Sequence, residues 1–360
     1  MSKVILLVLL FPLAMGCSDA LPSDFAFNAT VSLSRPGAFR KVMDAIAAAP
    51  SGSESRYYIH VEAGVYQEIV CISKEKTNIA LIGDGADVTK ITMNRKVPDF
   101  ETWETATFCI WNLKIVWLSS DFAYAFKESV YGDGFMAQFI AFENPAGEGN
   151  QAVALLSEAD QSSFYRCRFL GYHDTLYAKA GAQFYRECDI YGTVDFIFGH
   201  AAAVFQLCHL YALPAAREMI TFTAQGNKND GKKSGFVIHN CTLTTAPRAR
   251  VPAGSKNEFN GAYLGRPWTS LSTVIVMQSF LDSFINPAGW LEWPGHSTST
   301  VTYREYLNSG PGAATGGRVP WPGYKVLSQP SDAMPFTVGQ FIVGDSWLPE
   351  TGIPYTSGLF

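Results

Sequence analysis

Charged residues are scarce in this chain. Of its 360 residues, Asp, Glu, Lys and Arg make up only 16%, and an acidic excess gives a formal net charge of −5 at pH 7. A protein that binds nucleic acid needs a basic face for the phosphates, so this balance excludes that class of partner. The charge balance does not exclude an acidic polymer as a ligand if Lys or Arg lie beside the binding groove. Apolar residues make up 48%, which is enough for a sizeable core and excludes a disordered chain.

Long apolar runs are also absent, with one exception at the N-terminus. There Lys3 precedes a run of apolar residues that is followed by small residues. This layout predicts a secretory signal peptide over residues 1–20, cleaved after Gly16 or Ala20 and too short to span a membrane. A lipid anchor on Cys17 is the alternative, although the residues before it match a lipoprotein signal poorly. We therefore expect a secreted protein with no membrane segment after cleavage.

Long helices and regular hairpin turns are the other missing signals. Apolar residues have helical spacing within residues 35–49, before Pro50, which predicts one short helix that caps an end of the fold. Elsewhere short β runs alternate with turns, but Asn-Gly and Asp-Gly pairs do not recur at the regular interval that a sandwich or propeller of hairpins requires. The segment from Gly310 onward is rich in Gly, Pro and Trp, and we predict that it packs back along the rest of the fold.

The feature that the chain does contain is a repeat. One phrase begins at Phe164-Tyr165-Arg166 and the next at Phe184-Tyr185-Arg186, and the two phrases contain Asp174 and Asp195, respectively. A chain that repeats β-forming residues every 20 to 25 positions or so coils, with one repeat per turn of a solenoid. The repeat predicts an all-β fold, a right-handed parallel β-helix over residues 25–360, and a β-sandwich or propeller is the alternative.

The two aspartates of the repeat, Asp174 and Asp195, lie 21 positions apart. Neighbouring strands of a sheet are about 4.8 Å apart, so two acids one coil apart can face each other. Carboxylates held this close cannot both ionise freely, which separates their proton affinities into those of an acid and a base. The repeat therefore predicts a catalytic pair, whereas an isolated Asp in a turn more often caps backbone N–H groups.

The cysteines follow the same repeat. The chain has seven, and six remain if Cys17 leaves with the signal peptide. Cys167, Cys188 and Cys208 recur at intervals of 21 and 20 residues and should stack in one column, where neighbouring Cα atoms come within disulfide range. Only two of the three can pair, and we predict a Cys188–Cys208 bond. A ladder of small buried thiols is the alternative.

Several longer motifs stand in order along the chain: Gln151-Ala152-Val153-Ala154-Leu155, Gly171-Tyr172-His173-Asp174-Thr175-Leu176-Tyr177, Gly192-Thr193-Val194-Asp195-Phe196-Ile197-Phe198-Gly199, Leu264-Gly265-Arg266-Pro267-Trp268, Pro287-Ala288-Gly289-Trp290 and Gly344-Asp345-Ser346-Trp347-Leu348. They resemble the signature segments of one enzyme family, the pectin methylesterases (pectinesterases), and the plant type in particular. The similarity runs from about Val31 to Leu359. It implies a right-handed parallel β-helix, secretion to the extracellular cell wall, and neither cofactor nor metal. It also implies a monomer that demethylates pectin, with a proteinaceous pectinesterase inhibitor as a second partner.

The resemblance also implies catalytic roles for single residues. Asp195 corresponds to the nucleophile, and Asp174 to the general acid that later acts as the base. Gln151 corresponds to the side chain that helps to stabilise the oxyanion. This set could hydrolyse a methyl ester, because an ionised Asp can attack the carbonyl carbon while an amide donor stabilises the oxygen.

Further residues correspond to the family's substrate contacts. Arg266 would bond to Asp195 and contact the substrate, Trp268 would stack on a sugar ring, and Thr102 matches a Thr that contacts substrate. We assign the aromatic residues Tyr177 and Phe198 to the groove and their neighbour Phe196 to the core. The alternative is a structural ion pair for Arg266 and a core position for Trp268, Tyr177 and Phe198. For Phe196 the alternative is a contact with the sugar chain.

His173 departs from the family pattern, which has Gln beside the acid. That Gln stabilises the tetrahedral intermediate, and a neutral imidazole can donate one hydrogen bond in its place. A protonated imidazole would instead favour the ionised form of Asp174 and weaken it as an acid. We therefore predict that activity falls more steeply below about pH 6.5, the ordinary pKa of His, than it does in a His173→Gln variant.

The second departure is an atypical insertion over residues 109–130, which is rich in aromatic residues and lies outside the repeat. It falls between Thr102 and Gln151 and is therefore expected close to the groove. Two origins are open: a translated loop, or untranslated sequence read through in an incorrect gene model. A translated loop this apolar would reduce solubility or block the substrate.

Two other functions compete with ester hydrolysis. A pectate lyase or a glycoside hydrolase could be built on the same solenoid. A lyase needs several carboxylates for Ca²⁺, and this region offers mainly two Asp. A hydrolase could use two Asp, but the sequence contexts of Gln151 and Arg266 favour ester hydrolysis. A catalytically impaired pectin-binding protein is the remaining alternative, and His173 and the insertion are the features in its favour.

Overall fold

The computed structural model describes residues 26–110, 133–215, 219–247, 251 and 261–360. Within these residues every strand pairing between named strands is parallel, and the strands form three sheets. The predicted signal peptide, residues 1–20, and residues 111–130 of the predicted insertion lie outside the described part of the chain. Among the described helices, none is long and apolar enough to cross a membrane.

The three sheets, here named A, B and C, have 11, 8 and 7 strands among the described residues. Sheet A contains β1 (Ala29–Val31), β2 (Tyr57–Val61), β5 (Ile79–Gly83), β8 (Met136–Gln138), β11 (Ser162–Tyr165), β14 (Ala182–Arg186), β17 (Ala202–Gln206), β20 (Gly235–His239), β23 (Thr273–Met277), β25 (Thr302–Tyr306) and β26 (Tyr324–Val326). Sheet B contains β3 (Gly64–Gln67), β6 (Thr89–Thr92), β9 (Ala141–Glu143), β12 (Arg168–Leu170), β15 (Asp189–Gly192), β18 (His209–Ala212), β21 (Thr242–Thr245) and β24 (Phe280–Leu281). Sheet C contains β4 (Val70–Ile72), β7 (Phe108–Ile110), β10 (Leu155–Ser157), β13 (Leu176–Ala178), β16 (Ile197–Gly199), β19 (Ile220–Gln225) and β22 (Ala262–Gly265).

Each central coil contributes one strand to each sheet in turn. The coil β11–β12–β13 stacks on β14–β15–β16, with Arg168 paired to Asp189 in sheet B and Leu176 paired to Ile197 in sheet C. Both pairs have the 21-residue separation of the sequence repeat. The predicted all-β, right-handed parallel β-helix is therefore confirmed, with the right-handed connections that parallel strands favour.

One residue in the left-handed region turns the chain from sheet A to sheet B in successive coils. The side chains differ, but φ lies between 47° and 59° at Phe139, Arg166, Glu187, Leu207, Asn240, Gln278 and Leu307. Such values are uncommon for non-glycine residues. Their recurrence shows that the tight corner comes from the stacking of coils and not from local sequence preference.

The core contains a ladder of aromatic rings from neighbouring coils. Phe164 and Tyr185 stack with ring centroids 4.8 Å apart, and Tyr185 and Phe205 with centroids 4.6 Å apart. All three side chains are fully buried. Offset aromatic pairs contribute about 0.5–1.5 kcal/mol beyond their buried area, so the ladder stabilises the stacking of coils.

The predicted Cys188–Cys208 disulfide is wrong. Cys167, Cys188, Cys208 and Cys241 are buried free thiols in one column, as in the alternative of a thiol ladder. Such a ladder of thiols is compatible with the core, because a free Cys packs as a small apolar residue. The thiols donate to main-chain oxygens, for example Cys188 Sγ to Phe164 O at 3.5 Å.

The disulfide of the described residues joins Cys71 and Cys109, whose Cα atoms are 4.6 Å apart. These residues pair directly between β4 and β7. Cys109 and Ile110, the first two residues of the predicted insertion, therefore belong to a regular strand of sheet C. The disulfide therefore crosslinks two neighbouring strands of sheet C.

The helix α1 (Val42–Ala48) covers the N-terminal end of the solenoid, as predicted, but it is shorter than the apolar spacing over residues 35–49 indicated. Glu68 caps it from another segment, since its two carboxylate oxygens accept hydrogen bonds from Val42 N at 2.7 Å and Met43 N at 3.1 Å. A carboxylate here also faces the positive end of the helix dipole. Pro50 follows closely and prevents continuation.

The C-terminal segment packs along sheet A, as predicted. It contains two short helices, α2 (Pro330–Ala333) and α3 (Val338–Phe341), and several 3₁₀ turns. Trp347 and Leu348 belong to one buried cluster with Phe184 and Val204 of sheet A. This segment therefore buries the outer face of sheet A.

Candidate active site

The two aspartates of the repeat occupy the same position on neighbouring coils. Asp174 and Asp195 each stand two residues before a strand of sheet C, with φ of 65° and 51°, in the region that Asp adopts more readily than most residues. Asp174 N donates to Val194 O at 3.1 Å, which joins the two coils. A carboxylate oxygen of each Asp and a ring nitrogen of His173 lie within 4.8 Å of one another. The predicted proximity is confirmed.

Three hydrogen bonds stabilise the ionised carboxylate of Asp195. Arg266 donates from Nε to Oδ1 at 2.8 Å and from a terminal nitrogen to Oδ2 at 2.6 Å. Thr221 donates its hydroxyl to Oδ1 at 2.6 Å. A two-pronged bond to Arg is among the strongest that a carboxylate can form. Asp195 is therefore equipped to remain charged although only 4% of it is exposed.

The environment of Asp174, unlike that of Asp195, disfavours the charged form of the carboxyl group. Its side chain is buried, and burial raises the pKa of Asp174 well above its usual range, with a further increase from the charge of Asp195 and a smaller opposing effect of Arg266. His173 lies beside it, with Nε2 3.5 Å from Asp174 Oδ1. One member of the pair thus favours the charged form and the other the protonated form, as an acid–base pair requires.

His173 is itself largely buried. Burial lowers the pKa of His173, while Asp195 acts in the raising direction and Arg266 in the lowering direction. The imidazole is therefore neutral at pH 7 and can offer a hydrogen bond near Asp174. The predicted loss of activity on protonation moves to a pH below the ordinary value of about 6.5.

Gln151 lies beside this group on the preceding coil, where its backbone forms a bridge with that of His173. Thr102, in a 3₁₀ turn, donates its hydroxyl to Gln151 Oε1 at 2.7 Å. Because the amide oxygen is occupied, the NH₂ group is the end that remains for another acceptor. Thr102 therefore orients Gln151 as a hydrogen-bond donor.

Aromatic side chains form the floor next to the aspartates. Tyr177 and Phe198 pair across β13 and β16 and stack with ring centroids 4.2 Å apart. The Trp268 ring lies 6.1 Å from Phe198 and stacks on His200 at 4.7 Å. Phe196 is fully buried in the central core, as predicted. The structure thus brings Tyr177, Phe198 and Trp268 together on the outer face of sheet C.

The family model described as Pectinesterase matches residues 28–124 and 118–345. The chain belongs to the pectinesterase family. It is 44% identical to Pectinesterase 2 of Citrus sinensis over 335 residues, which cover 92% of this chain and 61% of that protein. It is 45% identical to Pectinesterase/pectinesterase inhibitor PPE8B of Prunus persica over 336 residues, or 92% of this chain and 60% of that protein. The chain thus spans about three fifths of the length of these relatives.

A solved structure agrees with this assignment to the pectinesterase family. Pectin methylesterase from carrot superposes with a TM-score of 0.84 at 40% identity, and the match covers 94% of this chain and 100% of the carrot chain. The β-helix of this chain is therefore shared with that solved pectin methylesterase.

Sequence reasoning missed two residues of this pectinesterase-family site. Thr221 bonds to Asp195, and the Trp293 ring lies 4.2 Å from the guanidinium carbon of Arg266. The repeat register could have identified Thr221, because it follows Asp195 by one coil. Trp293 lies in an irregular segment after the last strand of sheet C, and no periodic signal points to it.

His173, Asp174 and Asp195 are residue types that also bind metals, and their polar atoms are close together. The neighbouring charge argues against a cation in this place. Arg266 occupies both oxygens of Asp195, and its positive charge would repel a metal ion at this distance. The arrangement fits acid–base and nucleophilic chemistry better than metal binding.

Proposed function

We propose that this protein is a carboxylic ester hydrolase that demethylates methyl-esterified homogalacturonan (pectin) and releases methanol and pectate. The observation that carries the proposal is the close pair of aspartates in opposite environments. Asp195 accepts three hydrogen bonds from Arg266 and Thr221, whereas burial and the neighbouring charge raise the pKa of Asp174.

In the first half of the reaction, the carboxylate of Asp195 attacks the ester carbonyl carbon and forms a new C–O bond. The negative charge that develops on the carbonyl oxygen is stabilised by the amide of Gln151, whose orientation is set by Thr102. One such donor is worth about 3 kcal/mol. Asp174 then gives its proton to the methoxy oxygen as the C–O bond to methanol breaks, which leaves an acyl group on Asp195.

In the second half, water attacks the same acyl carbon. Asp174, now ionised, takes a proton from this water, and the bond between the acyl carbon and Asp195 breaks. The products are a free uronic acid in the polymer and the starting carboxylate of Asp195. Neutral His173 can donate a hydrogen bond near this centre, in the place where the family has Gln.

The aromatic floor is the proposed contact for the sugar chain. Trp268 and Tyr177 offer half-buried rings for stacking, and Phe198, which is 5% exposed, packs against both. Arg266 and Thr102 lie beside the reacting residues, because Arg266 bonds to Asp195 and Thr102 bonds to Gln151. The proposed site therefore has one polar end that reacts and an aromatic surface that binds.

The remaining proposals concern the context of the enzyme. We propose that residues 1–20 direct secretion, that residues 25–360 form the catalytic domain, and that the protein acts as a monomer in the cell wall. A proteinaceous pectinesterase inhibitor is a candidate partner. The relative from Prunus persica, named pectinesterase/pectinesterase inhibitor, supports looking for such a partner.

The test is to incubate the purified protein with highly methylated pectin and to measure methanol and new reducing ends. We expect methanol without new ends, and an Asp195→Asn variant with no detectable methanol as the blank. New ends would instead indicate a depolymerase, and tight binding to pectin with neither product would indicate a pectin-binding protein. Either of these results would reject the proposed activity.

A further inference from the structure

Thr221 lies on the coil that follows Asp195, at the equivalent position. Ile197 of β16 pairs with Thr223 of β19, and Asp195 and Thr221 each stand two residues earlier in the chain. Asp174, Asp195 and Thr221 therefore occupy one position on three successive coils. The first two offer carboxyl groups and the third a hydroxyl.

The hydroxyl of Thr221 connects the Asp195 side chain to its own backbone. Asp195 N donates to Thr221 Oγ1 at 2.8 Å, and the same hydroxyl donates to Asp195 Oδ1 at 2.6 Å. Thr221 is fully buried, so solvent does not compete for these bonds. The closed ring restricts the rotation of the carboxylate.

The two oxygens of Asp195 consequently differ. Oδ1 accepts from both Thr221 and Arg266 Nε, whereas Oδ2 accepts only the terminal nitrogen of Arg266 among the described residues. A carboxylate oxygen has about two lone-pair directions. Both directions of Oδ1 are occupied, and one of Oδ2 remains for bond formation.

We propose that Thr221 is a positioning residue that locks the Asp195 carboxylate so that Oδ2 is the oxygen that attacks the ester. This inference rests on the proposed esterase activity. Without the hydroxyl, Arg266 holds the carboxylate alone, and the backbone N–H of Asp195 loses its acceptor. The carboxylate then samples orientations in which Oδ2 does not face the ester carbon.

The test compares two substitutions at this position. Thr221→Val keeps the shape and removes the hydroxyl, and we expect kcat to fall about 10- to 100-fold, the range for a lost hydrogen bond to a charged group. KM should stay within about twofold, because Thr221 is buried away from the bound sugar and the interaction serves the transition state. Thr221→Ser keeps the hydroxyl and should keep kcat within about threefold of wild type, which a requirement for the side-chain shape alone would not predict.

Thr223→Val is the matched control. Thr223 is in the same strand and is also buried, but its hydroxyl donates to Leu264 O at 2.9 Å and not to a carboxylate. It therefore measures the effect of losing a buried hydroxyl from β19. We expect a lower thermal midpoint in both valine variants and the large loss of kcat only in Thr221→Val.

The outcomes separate this inference from the proposed function. If the wild type releases no methanol, the esterase proposal fails. If the wild type is active and Thr221→Val has the same kcat as Thr223→Val, or Thr221→Ser loses as much as Thr221→Val, the positioning role is rejected. Should Thr221→Val not fold, a folded Thr221→Ser variant decides: a loss of kcat above about tenfold rejects the role, and a value near wild type supports it.

Discussion

Sheets A and C are built from the same coils, yet their outer faces are buried to different extents. On sheet A, apolar residues such as Phe184 and Val204 are completely buried beneath the C-terminal segment with Trp347. On sheet C, the aromatic residues Tyr177 and Trp268 remain half-buried beside the aspartates. The comparison shows that an apolar outer face is either buried as a structural support or left open, as the proposed binding surface is, according to whether another segment of the chain covers it.

The largest effect is expected at the polar end of sheet C, from Asp174→Asn. Asn cannot transfer a proton to methoxide or accept one from water, so kcat for methanol release should fall about a thousandfold, within the range for a general acid–base residue. The thermal midpoint should not fall, because the raised pKa of Asp174 shows that its charge is costly in this place. A variant with more than about a tenth of wild-type kcat would contradict the acid–base role.

Trp347→Ala addresses the covered face of sheet A. Trp347 is 6% exposed and donates from Nε1 to Ile342 O at 3.0 Å. Truncation should reduce the free energy of unfolding by about 3–5 kcal/mol, as for other large buried aromatic residues. Denaturant unfolding gives this value, and kcat of the folded fraction should stay at the wild-type level. A loss of kcat without a loss of stability would show that the two faces are coupled.

Trp268→Ala is the reciprocal change on the exposed face. Its ring packs on His200 and near Phe198 but remains partly open. We expect KM for pectin to rise about tenfold, equivalent to the loss of about 1.4 kcal/mol of stacking. The decrease in unfolding free energy should be smaller than for Trp347→Ala. Equal stability losses with an unchanged KM would show that Trp268 is a core residue.

The smallest expected effect concerns pH. Protonated His173 would place a positive charge near Asp174, 3.5 Å from Nε2 to Oδ1, with Asp195 and Arg266 as the other charged groups nearby. Because burial lowers the pKa of His173, this occurs only below the ordinary value of about 6.5. The wild type should lose kcat/KM a few-fold more than His173→Gln at about pH 5, and the two should agree at about pH 7.5. Superimposable pH–rate profiles of the two proteins would contradict an effect of His173 protonation on activity.

The cysteines show where inference from the repeat fails. The interval between Cys167, Cys188 and Cys208 correctly predicts one column, but it does not determine whether neighbouring thiols form a bond. The column consists of free thiols. Cys71 and Cys109, which pair across β4 and β7, were overlooked because Cys109 was assigned to the insertion.

The candidate active site was also predictable only in part. The proximity of Asp174 and Asp195 was predictable because one coil separates them. The burial that separates their proton affinities was expected only in outline, since it depends on neighbours from several coils. Arg266 was recognised through a family motif and not from its spacing, because it lies 71 residues from Asp195.

The sequence alone determined that the chain coils and that its two repeated aspartates meet, because the period of a parallel solenoid sets which residues are neighbours. Tertiary structure decided which face stays open, which cysteines pair and which carboxylate keeps its charge. Those outcomes depend on side-chain direction and on segments that break the period. Thr221 illustrates both contributions. The repeat places it next to Asp195, and only the tertiary structure shows that its hydroxyl bonds to the backbone and the carboxylate of Asp195.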